Sequence, residues 1–124
     1  MQYLLLVYTD EALLGKVPAP DFDTEMRHCL HKADDLQASG TLLSFQQLEP
    51  ASTAQSVRAR NGCTTILDGP FAETKEVLAG FNLIEADSME EAVRLAQEFP
   101  WIRYGSIEVR PVRNVAAVRA RVGA

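Results

Sequence analysis

Gln55-Ser56-Val57-Arg58-Ala59-Arg60-Asn61-Gly62-Cys63-Thr64-Thr65-Ile66-Leu67, followed at once by Asp68-Gly69-Pro70, is the stretch on which the fold turns. Asn-Gly between two alternating runs is a strong hairpin signal. The type I′ turn needs positive φ at both central residues, and Asn and Gly accept it at least cost. Gly69-Pro70 then breaks the second strand, because proline has no N–H to give to a ladder. The hairpin lies near the middle of the chain, so the question becomes what stands on either side of it.

Upstream, Tyr3-Leu4-Leu5-Leu6-Val7-Tyr8 reads as a buried strand. Residues 9–21, with Gly15, Pro18 and Pro20, read as a loop. A helix is expected from about Phe22 to Ser39. Phe22, Met26, Cys29, Leu30, Ala33 and Leu36 recur at helical spacing, Asp21 suits the N-cap, and Gly40 suits the stop. Thr41–Phe45 begins a second strand, and Pro50 with residues 51–53 leads into the hairpin. Downstream, a turn or single helical turn is expected over Ala72–Glu76, then a strand over Ala79–Ala86. Ser88 and Glu91 form a capping box for a second helix with Ala92, Leu95, Ala96 and Phe99 on its apolar face, ended by Pro100. Gly105–Arg110 alternates with a period of two, as a last strand does.

The order is β-α-β, an inserted hairpin, then β-α-β. Two such halves build an α+β, ferredoxin-like sandwich: an antiparallel sheet with both helices on one face. The other face needs a cover, and a second copy of the chain supplies it most simply, as a homodimer of α/β-barrel-like form. One domain is expected over residues 1–112, with 113–124 a poorly ordered or partner-docked tail.

Composition bounds the function. With 47% hydrophobic and 23% charged residues, the 124-residue chain is an ordinary globular domain and not a disordered one. Residues 1–102 carry 7 Lys/Arg against 16 Asp/Glu, a net −9, while residues 103–124 carry 5 Arg against one Glu. So acidic a body argues against direct nucleic-acid binding, which needs clustered bases. No run approaches the ~20 apolar residues of a membrane span. The cytoplasm is expected, with Cys29 and Cys63 reduced and buried as small apolar residues. Neither lies in a metal or redox spacing, and no phosphate loop or Gly-x-Ser-x-Gly motif occurs, so no metal and no cofactor are expected.

Asp68-Gly69-Pro70-Phe71-Ala72-Glu73-Thr74-Lys75-Glu76, then Gly80-Phe81, then Arg103-Tyr104-Gly105-Ser106-Ile107-Glu108-Val109-Arg110-Pro111, resembles the DGPF branch of the YCII-related family. The opening strand and the Asn61-Gly62 hairpin sit where that branch has them, and the resemblance spans residues 1–112. It implies a ferredoxin-like fold paired into a dimer with a cleft per subunit. It also implies an unsettled function: some members are uncharacterised, some are assigned as enzymes, and some are linked to sigma factors.

Asp68 ends a strand at a Gly-Pro break, where its carboxylate can leave the sheet. Glu73, Lys75 and Glu76 crowd three carboxylates and one ammonium into a few residues. Such crowding can split carboxylate pKa values and leave one as a general base, with Lys75 neutralising an anion. Arg103, through its planar fork, and Tyr104 are candidate ligand-binding groups at the start of the last strand. The competing reading makes the same residues a turn cap and a solvated ion network. Glu108 and Arg110 share a strand face and suit cross-strand or dimer contacts. One branch of the family carries a histidine near the first helix with an aspartate, proposed as a catalytic pair, which the DGPF branch generally lacks. His28 lies near that position but one residue, or ~100° of helix, out of register. With His31 it falls on the polar face.

Two functions follow. The first is a cofactor-free acid–base enzyme, or a binder, acting on a small organic molecule near the DGPF turn, an anion being one candidate. Asp68 and His28 would be its catalytic candidates, and Lys75, Arg103, Tyr104, Glu73 and Glu76 its ligand contacts. The second is a non-catalytic regulatory or protein-interaction module linked to transcription.

Overall fold

Leucines fill the opening strand, yet only every second residue of it is buried, and that alternation orients the whole fold. In the computed structural model, which describes residues 1–124, β1 (Gln2–Thr9) buries Tyr3, Leu5, Val7 and Thr9 and turns Leu4, Leu6 and Tyr8 to the opposite side. There follow a single helical turn α1 (Glu11–Leu14), the long helix α2 (Ala19–Ala38), β2 (Leu42–Gln47), a 3-10 turn at Ala51–Thr53, and the hairpin β3 (Gln55–Arg60) and β4 (Cys63–Asp68). The second half holds β5 (Val77–Glu85), α3 (Met89–Ala96), a 3-10 turn at Pro100–Arg103, β6 (Gly105–Pro111) and a terminal helix α4 (Val115–Val122).

The main sheet runs β2-β5-β1-β6, antiparallel throughout, and β3–β4 forms a sheet of its own. Leaving out the hairpin, this is the strand order of the ferredoxin-like α+β fold. The core lies between one sheet face and the helices. Leu5 and Ile84 are fully enclosed by Cys29 and Ala33 of α2, Ala92 and Ala96 of α3, and Phe99 and Trp101 beyond. No helix is long and apolar enough to cross a membrane.

The Asn61-Gly62 turn has φ of 52° and 77°, both positive as a type I′ turn demands, and Arg60 faces Cys63 across it. Ser88 accepts from the Glu91 N–H at 3.1 Å, and the Glu91 carboxylate reaches back to the Asp87 N–H at 3.0 Å.

Several expectations need correction. Residues 9–21 are not all loop. Asp10 caps α1 by accepting from the Leu13 N–H, and α2 begins at Ala19, ahead of Asp21. Pro18 and Pro20 favour this early start, since their fixed φ suits a first helical turn and their missing N–H groups would have found no intrahelical partner. Leu30 leaves the apolar stripe of α2 and is 39% exposed. Ala72–Glu76 forms bends without a helical turn. Cys63 is exposed, because the hairpin carrying it projects from the core. The expected tail is helical: Asn114 accepts from the Ala117 N–H at 3.0 Å, and Gly123 closes α4 in the left-handed region.

Candidate functional site

Where β1 ends and β5 begins, the sheet extends past the cover of the helices and leaves a cleft of about 260 Å³. The floor is Val7 and Thr9 of β1 with the Val77–Asn82 end of β5. Phe22, Met26 and Cys29 of α2 form the roof, Phe45 and Trp101 add aromatic walls, and Glu11, Glu49 and Pro50 stand at the rim. Twelve of the 20 lining residues are hydrophobic, so the chemistry rests on the few polar ones.

Thr9 is 3% exposed and Asn82 8%, the two buried polar side chains of the core. Strand alternation turns both to the helix side, in line with Val7 and with Gly80 and Ile84. Neither side chain hydrogen-bonds to another protein group, and no buried polar atom is sealed off without a partner. Their hydroxyl and amide therefore open onto the cleft. The Trp101 indole N–H donates to Cys29 Sγ at 3.2 Å. Burial pushes the Cys29 thiol up, only partly offset by that hydrogen bond, so it is a neutral thiol and not a nucleophile at neutral pH.

The residues expected to form one site are divided between two places, and none of them lines this cleft. Asp68 is exposed and accepts from Gln55 Nε2 at 3.1 Å across the hairpin. Glu73 is exposed with no partner. Lys75, whose side chain is 88% exposed, lies 3.9 Å from Asp10, and Glu76 accepts from the Ser106 hydroxyl at 2.8 Å. The segment after Asp68-Gly69-Pro70 is thus tied to the end of β1 and the start of β6. Arg103 turns elsewhere. It pairs with Glu25 of α2, beside the ring of Tyr104 at 6.0 Å. With His28, Thr24, Gln97 and Glu98 it lines a separate groove of about 370 Å³ along the outer side of α2. Tyr104 packs on Trp101, ring centroids 6.4 Å apart, and its carbonyl accepts from the Asp10 N–H at 2.8 Å. His31 is exposed on α2.

Thr9 and Asn82 went unnoticed in the sequence. Asn82 did leave a signal: a polar residue midway along a strand, two places from Gly80 and Ile84, is a polar residue on the buried face. Thr9 left none, since it follows the apolar run at what reads as the start of a loop.

The YCII-related domain matches residues 1–116. An uncharacterised protein of Rhizobium meliloti (strain 1021) is 35% identical over 114 residues, covering 90% of this chain and 92% of that one. Among solved structures, 5-chloro-2-hydroxyhydroquinone dehydrochlorinase from Burkholderia phenoliruptrix AC1100, in complex with 2,5-dihydroxybenzoquinone, is similar with a TM-score of 0.53. It is 15% identical, with 91% of this chain and 94% of that chain covered, a likeness of fold. The chain belongs to the YCII-related family.

Proposed function

We propose that this YCII-related protein binds a small organic molecule in the cleft beneath α2, with one such cleft in each subunit of a homodimer. The observation that carries this reading is the pair Thr9 and Asn82. Two buried hydrogen-bonding side chains without protein partners, set among apolar walls, cost about 1–3 kcal/mol each unless water or a ligand satisfies them. Few convergent polar groups in a mostly hydrophobic recess is how ligand pockets fix orientation. The volume of about 260 Å³ is small beside the ~300–1,000 Å³ of drug-sized sites, which points to a single-ring molecule.

Binding is better supported than turnover. The carboxylates at the rim, Glu11 and Glu49, are the acid–base groups within reach, and an acid–base step would fall to them before Asp68 or His28. The dimer rests on a second observation. The sheet face away from the helices carries Leu4, Leu6, Tyr8, Phe81 and Leu83 side by side, flanked by Glu108 and Arg110 on β6. The hairpin also exposes Val57 and Ile66, direct cross-strand partners, together with Phe71. A second copy is the cover that fits both surfaces. A regulatory module would use the same hairpin surface for another protein. A cytoplasmic setting, in which exposed Cys63 stays a thiol, goes with this reading.

A fragment screen tests the binding site. Ligands of the cleft raise the melting temperature and shift the indole N–H resonance of Trp101, the one tryptophan. The paired changes Thr9→Val and Asn82→Leu, which keep the fold apolar at that point, abolish both responses. A library of single-ring compounds that moves neither the melting temperature nor resonances around the cleft would sink the reading.

A further inference from the structure

The charges around the cleft are all of one sign. Its ionisable lining is Glu11 and Glu49, besides the neutral Cys29 thiol, and no lysine, arginine or histidine is among the lining residues. Glu49 is exposed and has no protein partner, while Glu11 gives one oxygen to the Ala51 N–H at 3.2 Å. An anion entering here would meet two carboxylates and leave its own charge unpaired, which is costly in a partly desolvated recess. A cation finds the reverse. Carboxylates flank the mouth, and Phe22, Phe45 and Trp101 offer aromatic surface inside. The body of the chain, −9 through residue 102, adds a field of the same sign.

The depth of the polar groups says more about the ligand. Thr9 and Asn82 are buried and Glu49 is at the surface, so hydrogen-bonding capacity without charge lies deep and negative charge lies at the mouth. Resting on the small-molecule reading of the cleft, we propose that its ligand is a small protonated amine with an apolar, ring-sized body. The ammonium faces Glu49 and Glu11, and an uncharged hydroxyl or carbonyl at the other end pairs with Thr9 and Asn82. The expectation of an anion held by Lys75 and Arg103 does not carry over, because neither residue reaches this recess.

Three probes that share a ring and a phenolic hydroxyl and differ in charge separate the cases: tyramine, its neutral counterpart 4-(2-hydroxyethyl)phenol, and 4-hydroxyphenylacetate. Binding is followed by titration of the Trp101 indole N–H resonance in the full chain. Tyramine is expected to bind about tenfold more tightly than the neutral probe, the combined scale of two exposed ion pairs, with the anion weakest. Glu49→Gln, at an exposed position that leaves the fold intact, shrinks that preference several-fold, as does added salt. If the anion or the neutral probe binds as tightly as tyramine, or the preference survives in Glu49→Gln with Glu11→Gln, the amine assignment is overturned while the cleft stands. If none of the three binds although neutral fragments do, the amine is likewise ruled out. A cleft that takes nothing in the wider screen overturns both readings.

Discussion

A Cβ on Gly105 would overlap the carbonyl oxygen of Tyr8 and stand 2.8 Å from Thr9 Cα. Gly105 pairs with Thr9 in the β1–β6 ladder, so this bare position is what lets the strand end carrying Thr9 lie against β6. The atoms in the way are backbone and cannot swing aside. Gly105→Ala is therefore expected to cost about 1–3 kcal/mol in denaturant unfolding, with weaker ligand binding as Thr9 is displaced. At the same scale the two cysteines diverge. Cys63 is exposed, whereas Cys29 is buried with its thiol pushed up by desolvation. Iodoacetamide at pH 8 should label Cys63 within minutes and reach Cys29 only on unfolding. Because the folded thiol holds its proton beyond the pH at which the unfolded one loses it, Cys29 contributes stability that is full below the ordinary thiol pKa and falls away as pH climbs through the raised one. Single residues were the least legible feature of the sequence. Charged side chains after Asp68 drew attention because their types suit catalysis, but residue type does not reveal which way a side chain faces. Arg103, next to Tyr104 in sequence, spends its charge on Glu25 of α2, 78 residues away along the chain. Thr9 and Asn82 acquire a role only from burial.

Among the elements, those fixed by local chemistry were read well. The Asn61-Gly62 turn, the Ser88 cap and the period of two in β6 each follow from a few adjacent residues. The beginning of α2 was not, because Pro18 and Pro20 read equally as loop residues and as a first helical turn. The hairpin is the element most independent of the rest: all of β4 is exposed, and its base is tied by the Gly69 N–H to Ala54 and by the Ser56 hydroxyl to the Gly69 carbonyl at 2.8 Å. Two strands alone are marginally stable. Amide exchange in a dilute sample should run through local opening for β3 and β4, well ahead of β1 and β5, whose exchange tracks global unfolding. Gly62→Ala, at φ 77°, should cost the hairpin ~1–2 kcal/mol and speed its exchange further, with little change in the melting temperature of the main sheet.

For the molecule as a whole, the continuous apolar run Tyr3–Tyr8 announced a strand covered on both faces, and the chain by itself covers one. Leu4, Leu6 and Tyr8 are left half-buried, and theirs is the face the proposed second copy would cover. Sedimentation equilibrium at micromolar concentration should give twice the 13.7 kDa chain mass, and Leu6→Glu, which sets a carboxylate in the middle of that face, should return the monomer. A wild-type monomer would leave the apolar face without its proposed cover. The fold was readable at this scale because strand and helix order allow few topologies; of any assembly, only an apolar sheet face without a cover could be read. The other end of the chain has the opposite character. After the Val112 N–H bonds to Gln2, nothing in α4 is buried, and residues 112–114 are exposed coil between the sheet and that helix. A protease added to the native protein will find its scissile bond there. Trypsin cutting after Arg113 removes Arg119 and Arg121 and takes the formal charge from −5 to −7, so a clipped preparation should betray itself by later elution from an anion-exchange column while keeping its melting temperature.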